Sequence, residues 1–105
     1  MDKIATLNEI LAQDPTNAFA RYGLAMEFAG RNDTASALAE FDRLLADHPD
    51  YTAGYFMAAQ TLARASRTAE AKQRLADGIV CAKRTGNQHA QREMQAMLDD
   101  MEIPE

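Results

Sequence analysis

The side chains able to do chemistry are few and far apart in this chain. A nucleophile needs a base within hydrogen-bond reach, and the single cysteine, Cys81, has only His89 near it in sequence, across a turn. Cys81 lies in the run Ile79-Val80-Cys81-Ala82, where a thiol packs as a small hydrophobe. His48 precedes Pro49 at a turn and His89 opens a polar stretch, so both read as surface imidazoles rather than general bases. Asp99-Asp100 is the nearest approach to a metal site, and adjacent carboxylates near the end of a helix read as solvated charges. No glycine-rich phosphate loop, Gly-x-Ser-x-Gly or His-Glu-x-x-His occurs. The expectation is a protein that is not an enzyme and uses no metal and no cofactor.

The elements that would position any functional residue announce themselves through a period. Asp14-Pro15 and His48-Pro49 stand 34 residues apart (49 minus 15). The same shift places Ala25 on Ala59, Ala29 on Ala63, Thr34-Ala35 on Thr68-Ala69 and Ala37 on Ala71. Larger positions agree in kind: Tyr22 with Phe56, Phe28 with Leu62, Phe41 with Leu75, Leu45 with Ile79. Small and large apolar positions recurring at such a period predict stacked helical hairpins, none of which buries its apolar face alone.

Helix signals divide the chain consistently. Ile4, Leu7, Ile10 and Leu11 form an apolar stripe over a helix at 2–13, which Asp14-Pro15 ends because the residue before proline avoids the α region. Shifted by 34, this helix matches the second half of a repeat, so it is half a repeat closing one end. Thr16 or Asn17 caps the next helix, Gly30 to Asp33 turns the chain, and Asp33 or Thr34 caps the helix that reaches His48. The second repeat follows the same plan from Asp50 or Tyr51, with a glycine-free turn at Ser66 to Thr68 that holds two cap candidates. Its second helix is longer because Lys83 replaces the proline, and Thr85-Gly86-Asn87 stops it. A last helix buries Met94, Met97, Leu98 and Met101. The fold class is all-α, a single domain over 1–105 with six helices: the half-repeat, repeats at 17–49 and 51–84, and a capping helix at 87–101.

Within the first repeat, Leu24-Ala25, Phe28, Ala37, Phe41, Leu44 and Pro49 resemble a tetratricopeptide repeat. In that resemblance Ala25 and Ala59 stand where glycine is commonest, and Ala37 and Ala71 take the most regular alanine. Arg21 and Tyr55 depart from the family's tryptophan, and Asn32 and Ser66 from its turn glycine. Gly78 stands where the first repeat has Leu44, which implies a closer approach between the second hairpin and the last helix.

The resemblance implies an interaction module of a small bacterial-type protein, an adaptor whose first helices line a concave groove. By phase the groove residues are Phe19, Tyr22, Met26 and Ala29, then Ala53, Phe56, Gln60 and Ala63, with Ala90, Met94 and Met97 if the last helix keeps the phase. Phe19, Tyr22 and Met26 are spaced 3 and 4, so they share one helix face independently of the family. That face either stays open for a partner or packs on neighbouring helices. The lysine, arginine and asparagine with which some family members hold a carboxylate are absent, since Tyr22, Met26, Phe56, Met57 and Gln60 take those positions. An apolar or amphipathic peptide of a protein partner is expected instead, or a second copy of the chain in a homo-oligomer.

Composition narrows the partner further. Net charge is −5 with a sequence pI near 4.9, which argues against nucleic acid and anionic lipid and favours a basic rim on the partner. No apolar run approaches the roughly 20 residues of a bilayer span, and the N-terminal residues Met1-Asp2-Lys3-Ile4 show no secretory signal. With one cysteine, the expected location is cytoplasmic.

Overall fold

A computed structural model describes residues 2–103; residue 1 and residues 104–105, at the ends of the expected domain, lie outside the described residues. Six helices follow one another: α1 Lys3–Gln13, α2 Ala18–Gly30, α3 Thr34–Asp47, α4 Thr52–Arg64, α5 Thr68–Arg84 and α6 Gln88–Glu102. No strand occurs among the described residues. Each helix packs on its chain neighbours, and α4 also touches α2 on one side and α6 on the other. These three form an inner layer, with α1, α3 and α5 outside, in a slab of 44 × 30 × 18 Å.

The hairpin turns are built alike. Asp33 N–H donates to the Phe28 carbonyl at 3.0 Å, Arg67 to Leu62 at 2.9 Å and Asn87 to Ala82 at 2.8 Å, each closing a Schellman turn. The residue before each donor takes the left-handed conformation: Asn32 at φ 60°, Ser66 at φ 61° and Gly86 at φ 72°. The missing turn glycines thus leave the turn geometry intact, although serine is held there against its steric preference. Ser66→Gly is expected to raise stability by about 0.5–1 kcal/mol, read as a higher urea midpoint with an unchanged slope. A midpoint that falls would show that Ser66 makes a compensating contact.

Helix starts vary more. The side chains of Asn17, Asp33 and Asn87 accept from Ala20, Ser36 and Ala90 N–H at 2.9, 3.2 and 3.1 Å. Arg67 occupies the cap position of α5 without a side-chain cap bond, so neither Ser66 nor Thr68 caps that helix. The departures at 21 and 55 have a shared use. Arg21 Nη2 donates to the Pro15 carbonyl at 2.9 Å, and Tyr55 Oη donates to the Pro49 carbonyl at 2.7 Å. Different side chains therefore tie α2 and α4 each to the proline turn before it. Arg21 also pairs with Glu40 of α3 at 2.8 Å, both side chains being mostly covered.

Small residues mark the helix crossings. Ala25, Ala37, Ala59 and Ala71 are all 0% exposed, and Phe41 and Leu75 fill the wedges beside them at 0%. At Gly78 an ideal Cβ would lie 2.5 Å from Met94 Sδ and 2.7 Å from Tyr55 Cβ, so α4, α5 and α6 meet there over bare backbone. The half-repeat departs from its expected stripe at one residue. Ile4 and Leu7 are half-buried and Leu11 is buried, but Ile10 is 41% exposed. Its counterpart Leu44 is buried because α3 is covered by both α2 and α4, whereas α1 packs on α2 alone.

Candidate functional site

A cavity of about 390 Å³ opens on the inner layer, bordered by Tyr22 from α2, by Thr52, Ala53, Phe56 and Met57 from α4, and by Asn87, His89, Ala90, Glu93 and Met94 around α6. Tyr22 is half-buried: its ring meets Phe41 edge-on with centroids 6.4 Å apart and lies tilted against Tyr51 at 5.3 Å. Burial, with Tyr51 beside it, pushes its phenol above the ordinary tyrosine value, so it presents a neutral wall. One side of Tyr22 packs into the first hairpin and another borders open space. Phe56 is likewise half-buried against the second core cluster.

The remaining expected groove residues divide. Phe19, one turn before Tyr22, is 79% exposed and lies outside the cavity's border. Met26 and Gln60 are half-buried further along α2 and α4, also outside that border. Met97 is half-buried against the core of the second hairpin. Met94 touches the cavity but is 0% exposed, sealed over Gly78. It is a core residue and offers no surface to a ligand.

The displacement of Met94 and Met97 has a simple cause. The cap positions of the inner helices are Asn17, Tyr51 and Asn87, spaced 34 (51 minus 17) and then 36 (87 minus 51). Helix α5 has 17 residues against 14 in α3, and the turn after it is one residue shorter. Two extra residues rotate a helix face by roughly 200°, which takes Met94 inward and brings His89 and Glu93 to the cavity. Counting 36 rather than 34 puts Glu93 at the place of Met57 and Gly23. Periodicity alone missed these two residues; the longer gap before Asn87 was the available signal.

None of the residues weighed for catalysis is joined to another. Cys81 is buried, its sulfur 3.4 Å from Thr52 Oγ1. His48 Nε2 lies 2.7 Å from the Thr16 carbonyl oxygen, and His89 Nε2 lies 2.8 Å from Glu93 Oε1. Among the described residues no group of three His, Cys, Asp or Glu converges as a metal site would require, and no helix is long and apolar enough to cross a membrane.

The stacked hairpins and the cavity on their inner layer define a helical-repeat protein of the kind that offers an extended surface to other proteins. No family model matches the chain. It is 28% identical over 95 residues to a TPR repeat-containing protein of Pseudomonas aeruginosa, a match covering 90% of each. A tetratricopeptide repeat domain protein of Salinibacter ruber, known from a solution structure, superposes with a TM-score of 0.79 at 33% identity. That match covers 84% of this chain and 89% of that one. A protein of Bordetella parapertussis gives a TM-score of 0.83 at 25% identity, covering 96% and 88%. The chain belongs to the tetratricopeptide-repeat family, whose members generally mediate protein–protein interaction.

Proposed function

We propose that the chain is an adaptor whose concave face takes an apolar segment of a protein partner, with α2 and α4 supplying the apolar wall. The observation that carries this is the cavity bordered by Tyr22, Ala53, Phe56 and Met57, with Phe19 standing 79% exposed on the same face of α2. An amphipathic helix suits such a surface, because anchors spaced three and four residues apart fall on one line. An inner face left only half-covered by its own fold keeps aromatic and methionine surface for that purpose.

Ala53 provides a clean test, since it borders the cavity and is exposed. Peptides selected from a displayed library should shift the amide resonances of α2, α4 and α6. Ala53→Trp, which fills the cavity from an exposed position, is expected to weaken them about tenfold or more, the loss of one well-packed anchor, while the melting temperature holds. Shifts confined to α1, α3 and α5 would put the binding surface elsewhere. A concentration-dependent mass that Ala53→Trp returns to the monomer would make a second copy the occupant.

A further inference from the structure

The rotation of α6 makes the concave face chemically two-sided, and the geometry points to a partner segment whose apolar face is flanked by lysine or arginine, its cation meeting Glu93. This rests on the groove proposed above and adds the chemistry of its second wall. In the two repeats the position of Glu93 is held by Gly23 and Met57; on α6 it is an acid, and among the described residues no lysine or arginine borders the cavity. The Glu93 side chain is 52% exposed, and its one ion-pair partner among the described residues is the His89 ring, which faces Oε1.

The rest of α6 agrees with this assignment. Asp100 stands seven residues after Glu93, two turns on, so both lie along one flank. The acid of the opposite flank is already engaged, Glu102 lying 3.8 Å from Lys72. Two basic groups stand on the groove's line, Arg92, exposed on α6 where the count of 36 gives the place of Phe56 and Tyr22, and Arg64, four residues after Gln60 at the far end of α4 from Ala53, and neither borders the cavity. A cationic flank therefore fits beside α6 at the cavity, while the net charge of −5 draws such a segment in and repels an acidic one.

The test uses two synthetic amphipathic helices with the same leucine and alanine face, one bearing lysine and the other glutamate at the flanking positions. Each is titrated against the full chain by fluorescence anisotropy at low and at physiological salt. The lysine peptide is expected to bind about fivefold tighter, the scale of exposed charge contacts, with the advantage shrinking as salt rises. Glu93→Lys should abolish or reverse that preference, whereas Ala53→Trp should weaken both peptides alike. Equal affinities, a preference for glutamate, or a preference that Glu93→Lys leaves unchanged overturns the cationic flank and leaves the groove standing. Binding of neither peptide to the unaltered chain overturns both.

Discussion

Removing residues 88–105 is expected to leave a chain that no longer unfolds in one cooperative step. Helix α6 covers the second hairpin where the backbone is barest. Met94 is 0% exposed and its sulfur occupies the space into which a Cβ at Gly78 would project. Ala90, Met97, Leu98 and Met101 pack around the same cluster, which includes Tyr55, Ile79 and Ala82. Losing a buried methionine alone costs about 2–5 kcal/mol, a large share of the 5–15 kcal/mol by which domains are stable. The truncated chain would also expose the glycine and small residues of α5, which have little apolar side chain with which to close the gap. Expected signatures are retained helical circular dichroism, a broad thermal transition and binding of a hydrophobic dye. A truncated chain that melts sharply at the full-length temperature would mean that α6 only rests on a self-sufficient stack.

The legibility of the chain follows from what a period can carry. Alanines 34 residues apart identify the helix crossings because a crossing needs a small residue wherever the geometry repeats. Ala25, Ala37, Ala59 and Ala71 are accordingly all fully buried. The turns were readable for the same reason, and the caps only where residue type signalled them, at Asn17, Asp33 and Asn87; Tyr51 and Arg67, which hold the corresponding places in the second repeat, make no side-chain cap bond. What could not be carried over was phase beyond a change in helix length. The extra residues of α5 turn α6 by over half a revolution, so the period of 34 puts Met94 on the groove, leaves His89 as a surface imidazole and gives no reason to single out Glu93. Ile10 shows the second limit. A repeat pattern says which residues would be covered in a full stack, but whether the covering helix exists depends on position, and α1 has a neighbour on one side only. The uses of Arg21 and Tyr55 were also hidden, because a guanidinium and a phenol reaching equivalent carbonyls share no pattern in sequence.

Phe41→Ala is expected to cost about 3–5 kcal/mol, the range for deleting a fully buried aromatic side chain, and to disturb the groove as well as the core. Phe41 is 0% exposed and packs with Ala25, Ala29, Ala37, Leu44 and Ala58. Its ring also meets Tyr22 edge-on at 67°, so it holds in place the side chain that forms one wall of the cavity. The repeat supplies an internal control. Leu75, 34 residues on, is also 0% exposed, but it lies in the other large cluster, with Tyr55, Ala59 and Ile79. Leu75→Ala should cost about 2–5 kcal/mol and leave Tyr22 where it stands. Urea midpoints measure the two losses, and the Tyr22 ring proton shifts report the geometry separately. Should Phe41→Ala fail to fold, Phe41→Leu keeps most of the volume at a cost of about 1 kcal/mol and still removes the ring that faces Tyr22. The Tyr22 shifts should then move, and peptide affinity should fall in Phe41→Leu but hold in Leu75→Ala. Tyr22 shifts and affinity unchanged in Phe41→Leu would mean that Tyr51, 5.3 Å away, positions the groove wall unaided.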